Sequence, residues 1–301
     1  MGQSADIASH SGEARAGAAV AQQPAGPGLG AGNRALAPLD ARQADWVLSS
    51  RHGAVALLTL NRPDKLNALN SEVLAVLGHR IDELEHDPTV RVVVLTGTGT
   101  RAFVAGADIA ELLPMDDRSA LDFSELGNEV LKRIERSSKP FIAAVNGFAL
   151  GGGCELALAC DVILASNTAR FGFPEVTIGV IPGFGGTQRL ARLIGRNAAK
   201  HWVMTGDVFP ADEAQRIGLC YRLYPPEELM DAAMKTADRM AQRAPLAVAE
   251  CKRIINRGIQ LPLEYALEAE SRAFARCFRT QDQKEGMTAF IEKRKPLFEG
   301  R

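Results

Sequence analysis

The periodicity of this chain changes once, and that change limits the folds open to it. As far as the short apolar run Tyr221–Leu223, strand-length apolar segments alternate with helical patterns; beyond it every patterned segment is helical. Val55–Leu60 reads as a strand and Asn61-Arg62-Pro63-Asp64 as a turn. Asn70 or Ser71 can cap a helix that puts Val73, Leu74, Leu77, Ile81 and Leu84 on one face. Arg91–Leu95 is a second strand, and the run Val92, Val93, Val94 predicts burial on both faces. Leu121–Arg136 reads as helix, Phe141–Val145 as strand, Gly153–Ala159 as a short helix and Val162–Ala165 as strand. Helical spacing marks Gly186–Leu193, Ala198–Met204 and Ala211–Ile217, then Pro226–Arg243, Leu246–Asn256, Leu263–Phe278 and Gln283–Glu292. The folded part starts near Trp46. The pattern predicts an α/β core over residues 44–225 and a helical region over 226–301.

Residues 1–43 follow neither pattern. They are rich in Ala and Gly, carry Pro24, Pro27 and Pro38, and show no hydrophobic periodicity. That composition predicts a disordered tail. The basic start and continuous apolar core of a secretory signal are both missing. Arg15, Arg34 and Arg42 would suit a transit peptide, whereas Asp6, Glu13, Asp40 and the glycines oppose one. The expectation is a cytoplasmic protein, with the mitochondrial matrix as the alternative if the tail is a transit peptide. A net charge of -1 gives no global attraction to nucleic acid or to an anionic membrane. No run approaches the roughly 18 apolar residues that span a bilayer. Cys154, Cys160, Cys220, Cys251 and Cys277 are scattered and form no Cys-x-x-Cys pair, which reads as reduced thiols rather than disulfides or a zinc site. The histidines are isolated, so neither a metal nor a triad is expected.

Gly97-Thr98-Gly99-Thr100-Arg101-Ala102 matches a dinucleotide-binding fingerprint with alanine in the last place. The fingerprint needs a helix opening directly at its end, and here Phe103–Asp108 intervenes, so a glycine-rich turn is the better reading. Ala105-Gly106-Ala107-Asp108-Ile109 combines small residues, which let a backbone N–H approach a ligand, with an aspartate that can cap a helix. A tight strand-to-helix turn explains it equally well. Asn146 to Glu155 follows a strand and opens a helix, so its free N–H groups and the positive helix end suit a developing negative charge. Glu155 sits inside the apolar stretch Ala143–Ala159, and Glu175 follows Pro174 between apolar segments. A carboxylate embedded in apolar sequence is costly to bury unless paired, hydrogen-bonded or protonated. Together the two point to acid–base chemistry on a substrate held between them. The plainer readings are a dipole-favoured helix start for Glu155 and a structural carboxylate for Glu175.

Taken together these stretches resemble the enoyl-CoA hydratase (crotonase) family. The matching segments are Asn61-Arg62-Pro63 with Asn67-Ala68-Leu69, Phe103–Glu111, Ala144–Asp161, Phe171–Glu175, Ile181–Leu190 and Glu285-Gly286-Met287 with Glu292-Lys293-Arg294. The resemblance runs from about Trp46 to the C-terminus. It implies an α/β fold, a crotonase-like spiral of ββα units with a helical C-terminal trimerisation region. It implies an acyl-CoA thioester as substrate, a homotrimer or dimer of trimers, no membrane or nucleic-acid partner, and no metal or other cofactor, CoA being part of the substrate. The N–H groups of Ala105 and Gly152 would form an oxyanion hole. Lys65, Leu66, Ala105, Gly106, Ala107, Asp108, Ile109 and Gly152 would line the CoA path, joined by Phe274 and Lys293, which match positions that reach CoA in a neighbouring subunit. Carrying both glutamates resembles the hydratases: Glu155 would deprotonate the water that attacks C3, and Glu175 would protonate C2. The rival reactions on this fold are an enoyl-CoA isomerase and an aromatic hydratase-lyase. A nicotinamide dehydrogenase and an RNA-binding relative are the readings from other classes.

Overall fold

Strand-length runs and helical runs sort into two sheets and a helical shell in a computed structural model that describes residues 43–301. Apart from Gln43, the expected tail lies outside the described residues. The strands are β1 (Val47–His52), β2 (Val55–Leu60), β3 (Val92–Gly97), β4 (Ala102–Ala105), β5 (Phe141–Val145), β6 (Phe148–Leu150), β7 (Val162–Ser166), β8 (Arg170–Gly172), β9 (Val208–Pro210) and β10 (Arg222–Tyr224). The helices are α1 (Ser71–His86), α2 (Ile109–Leu112), α3 (Asp117–Arg136), α4 (Gly152–Ala159), α5 (Gly186–Ile194) and α6 (Arg196–Thr205). They continue with α7 (Ala211–Arg216), α8 (Leu229–Ala241), α9 (Pro245–Gly258), α10 (Leu263–Cys277) and α11 (Gln281–Ile291).

One sheet runs β1-β2-β3-β5-β7-β10, parallel except for the β1–β2 hairpin. Successive side chains on a strand face opposite ways, so each continuous apolar run feeds two cores. Ala56, Leu58, Val93, Leu95, Ala143 and Val145 join α1 and α3 on one face. Val55, Val92, Val94, Ile142, Ala144 and Leu164 meet α8 on the other. There Ala233, Ala237 and Ala241 let the helix lie close to the strands. Each fully buried Val, Leu or Ile contributes about 1.5–3 kcal/mol. The valine run on β3 is thus buried on both faces, as the sequence predicts.

The second sheet, ordered β4-β6-β8-β9, was not expected from the sequence. Its strands β4, β6 and β8 are parallel and in step, with Ala105 opposite Leu150 and Leu150 opposite Gly172. The chain therefore leaves all three strands at one end of the sheet. The segments it enters there are Gly106–Asp108, Gly151–Gly152 and Phe173–Glu175.

Helix starts follow local capping. The Asn70 side chain accepts from Val73 N at 2.8 Å and caps α1. Asp116 and Ser119 form a capping box, so α3 starts at Asp117, one turn before the Leu121 that periodicity suggested. Beyond the core, α9 is anchored through buried Lys252. Its Nζ donates to Ile134 O at 2.7 Å and Lys139 O at 2.9 Å, and pairs with Asp161 at 2.9 Å.

Candidate active site

Glu155 lies in the first turn of α4, a helix buried almost throughout, and is 1% exposed. Its Oε1 accepts from Phe184 N at 2.8 Å and Gly186 N at 2.6 Å. Burial pushes its pKa up, the two N–H groups pull it down, neighbouring Glu175 raises it and Arg189 lowers it; the balance is about 7. Glu175 sits in a 3-10 turn, Pro174–Ile178, just after β8. Its carboxyl is also pushed up to about 7, here by desolvation. Its Oε2 is buried and has no hydrogen-bond partner among the described residues. The charge on Glu175 raises Glu155, so ionising one carboxyl disfavours ionising the other.

Between them stands the start of α4. Gly151 has φ +48, and a Cβ there would run into Oε1 of Glu175. Glycine is what allows that carboxyl to lie against the helix entrance. Gly152, the first residue of α4, has no backbone acceptor for its N–H among the described residues. An unsatisfied N–H at a helix start is a ready donor to a negatively charged oxygen.

The expected second donor is corrected by the backbone. Ala105 N–H is already donated to Leu66 O at 3.0 Å. Leu69 N donates to Gly106 O and Asp108 N to Leu69 O, leaving Ala107 N–H between them without an acceptor among the described residues. An extended chain would turn the N–H groups of residues 105 and 107 the same way. Gly106, at φ +99, breaks that alternation and turns the Ala107 N–H away from the Leu66–Leu69 segment. The available pair of donors is Ala107 and Gly152.

The loop bearing Ala107 is held from beside it. Arg62 donates to Ala68 O at 2.8 Å and pairs with Asp108 at 2.9 Å. Asp108 also accepts from Ala110 N at 3.2 Å and caps α2. The Asp108 carboxyl is held below its usual range, first by Arg62, with Lys65 contributing through its charge. Lys65 and Leu66 therefore adjoin the Ala105–Asp108 turn, and Leu66 takes the left-handed conformation at φ 51. Ile109 presents an exposed apolar side chain just beyond. Gly97–Ala102 delivers the chain into β4 rather than into a helix.

Phe274 and Lys293 are not gathered at this site. Phe274 is exposed on α10 with its ring 5.1 Å from that of Phe278. Lys293 is exposed after α11, and its side chain makes no hydrogen bond or ion pair among the described residues. Nothing in the sequence marks Phe184 and Gly186, whose N–H groups hold Glu155. The Gly183–Gly186 stretch was visible as a glycine-rich match, but not its target.

A cavity of about 1150 Å³ lies elsewhere, walled by residues of α3, α4, α5, α8, α9 and α10 including Glu135, Asp161, Arg189 and Lys252. Neither glutamate lines it. Volume alone does not mark the chemistry here; the raised carboxyls and free donors do. Among the described residues no group of three or more His, Cys, Asp or Glu is placed to hold a metal ion, and no helix is long and apolar enough to cross a membrane.

Comparison with known proteins agrees with this geometry. Residues 50–301 match the family model described as Enoyl-CoA hydratase/isomerase. A short-chain-enoyl-CoA hydratase of Clostridium acetobutylicum is 52% identical over 249 residues, 83% of this chain and 95% of that one. A crotonyl-CoA hydratase of Syntrophomonas wolfei is 48% identical over 252 residues, 84% of this chain and 97% of its own. The crystal structure of an enoyl-CoA hydratase from Bacillus anthracis superposes with a TM-score of 0.83 at 37% identity, covering 85% of this chain and all of that one. The chain belongs to the enoyl-CoA hydratase/isomerase family and has the crotonase fold.

Proposed function

We propose that this chain is an enoyl-CoA hydratase, adding water syn across the C2=C3 bond of a trans-2-enoyl-CoA to give a 3-hydroxyacyl-CoA. The observation that carries the reading is the pair of glutamates, both raised to about 7, flanking two unpaired N–H groups. The relatives named above as hydratases support it.

The thioester oxygen accepts from Ala107 and Gly152. As the C3–O bond forms, electrons move from C2=C3 into an enolate, and these donors face the charge where it develops. One such donor is typically worth about 3 kcal/mol of transition-state stabilisation. The two carboxyls divide the labour by environment. Glu155 has two N–H groups and Arg189 favouring its ionised form, which suits it to take a proton from the attacking water. Glu175 has an unpartnered oxygen and burial favouring its neutral form, which suits it to give a proton to C2. The pair is reset when a proton returns from Glu155 to Glu175. Every step is a proton transfer or an addition, so the chemistry needs neither metal nor redox cofactor.

Lys65 and the Ala105–Ile109 turn would line the CoA path. Phe274 and Lys293, exposed on the C-terminal helices, would act on a neighbouring copy. Ile255, Leu263, Phe290 and Ile291 are 68%, 73%, 85% and 79% exposed, which supports covering of this region in a homotrimer or dimer of trimers. Light scattering on the eluted protein tests the assembly, and a monomer would refute it. The free, scattered cysteines support a reducing, cytoplasmic setting.

The test of function is hydration of crotonyl-CoA, followed as loss of the conjugated thioester absorbance with identification of the product. 3-Hydroxybutyryl-CoA supports the reading. A folded protein that binds the thioester and only moves its double bond would establish the isomerase instead; carbon–carbon cleavage of an aromatic hydroxyacyl-CoA would establish the hydratase-lyase.

A further inference from the structure

We propose that Arg189, held by Glu135, is a positioning residue for the hydration: it locks the Phe184–Gly186 backbone cradle and so keeps the Glu155 carboxylate aimed as the base. The inference rests on the function proposed above and adds residues that touch neither substrate nor the reacting atoms.

The cradle that grips Glu155 consists of backbone N–H groups on a glycine-rich loop. Such a loop fixes a side chain only if it is itself fixed. Three side chains from two helices do so. Ser124 Oγ on α3 donates to Gly183 O at 2.5 Å, and Asn128 Nδ2 donates to the same oxygen at 2.9 Å. Arg189 on α5 reaches back and donates through NH1 to Phe184 O. The two bonds to Gly183 O align the peptide unit that carries the Phe184 N–H, and the Arg189 bond to Phe184 O fixes the Phe184–Gly185 peptide that links the two donor N–H groups of Phe184 and Gly186. Arg189 is oriented by a two-pronged pair with Glu135 on α3, Nε at 2.6 Å and NH2 at 3.0 Å, and its side chain is only 14% exposed. Forked arginine–carboxylate pairs add directional precision that a point charge cannot. Asn256 Nδ2 on α9 in turn donates to Glu135 O at 3.1 Å.

Arg189 also acts through its charge. The charged groups that act on Glu155 are Glu175, from the turn after β8, and Arg189, from α5; the neutral Cys154 thiol adjoins it on α4. Facing Arg189 itself is Glu135, which offsets part of its field. Removing Arg189 and removing the charge of Glu135 should therefore displace the ionisation of Glu155 in opposite directions, which loss of a scaffolding contact alone would not do.

The experiment compares the pH dependence of crotonyl-CoA hydration in wild type, R189M and E135Q. R189M removes a positive charge, so the acid limb of kcat should move to higher pH. E135Q uncovers that charge, so the limb should move down. KM should stay within about twofold in both, because neither residue reaches the acyl-CoA. R189K keeps the charge without the fork: its limb should stay near that of wild type while kcat falls. Should R189M fail to fold, E135Q and R189K carry the test. Limbs that stay put, or that move the same way in R189M and E135Q, would overturn the proposal. A second readout needs no turnover: the carboxyl carbon of Glu155, labelled with 13C and assigned with E155Q, should titrate with the same opposite displacements. A wild type that hydrates no enoyl-CoA would sink the function alone, and the NMR titration would still decide the positioning role.

Discussion

Replacing Glu155 by Gln should make the protein more stable and nearly inactive, with the gain in stability growing with pH. The carboxyl titrates near 4.5 when unfolded and near 7 in the fold. The folded pKa is the higher one, so between these values the native state holds a proton that the unfolded state has released. Stability contributed by this group is complete below pH 4.5 and is lost as pH rises through 7. The shift from 4.5 to about 7 corresponds to about 3 kcal/mol at pH 8, while at pH 4.5 only a small part of this has been lost. Gln is neutral at every pH and its carbonyl oxygen can still accept from Phe184 and Gly186. The difference between E155Q and wild type should therefore rise from a few tenths to about 3 kcal/mol across that window. Urea unfolding at fixed protein concentration, repeated at pH 4.5, 6 and 8, measures it. Hydration by E155Q should fall about 10²- to 10⁴-fold, the usual worth of a positioned base. A stability difference that is flat with pH, or a variant less stable at pH 8, would refute the claim that burial holds a proton on this carboxyl.

Three further outcomes follow from the geometry. The turnover of wild type should be bell-shaped around pH 7, since ionising Glu175 removes the acid and protonating Glu155 removes the base; a flat profile between pH 5 and 9 would contradict the paired titration. Gly151→Ala should lower kcat at least tenfold, because the added Cβ displaces the Glu175 carboxyl and the backbone there has φ +48; unchanged kcat would show that the carboxyl works from another position. Exchanging the Ala107 amide for an ester by semisynthesis should cost about 10²- to 10³-fold in kcat. The same exchange at Ala105 should chiefly lower stability, by about 1 kcal/mol, for the lost bond to Leu66; the reverse result would restore Ala105 as the donor.

The larger sheet was legible because its strands are apolar runs long enough to show their character, as in Val92–Gly97 and Phe141–Val145. The smaller sheet was not. Phe148–Leu150, Arg170–Gly172 and Val208–Pro210 are too short to show a period, and glycine and proline sit at their ends. Yet this is the sheet whose ends deliver Ala107, Gly152 and Glu175. Glu155 and Glu175 stood out in sequence because a carboxylate among apolar residues needs an explanation. Their convergence on the entrance of α4 was not readable, since it depends on the register between β6 and β8. The choice between Ala105 and Ala107 turned on one dihedral angle, at Gly106, which no composition reveals. Phe184 and Gly186 were missed as ligands of Glu155 because a backbone N–H carries no residue-specific signature.

The two carboxyls differ in what surrounds them in the chain. Glu155 belongs to a helix sunk in the core, so changing its size or that of its neighbours disturbs packing on every side. Glu175 belongs to a five-residue turn that ends in exposed Ile178 and is followed by exposed Gly179. The half of the chemistry that gives the proton is thereby the easier to alter: the exposed end of that turn, Thr177 and Ile178, can take new side chains at less expense to folding than any position in α4. A laboratory seeking another reaction from this scaffold would keep α4 and the free N–H groups of Ala107 and Gly152, and vary Glu175 together with the exposed end of its turn.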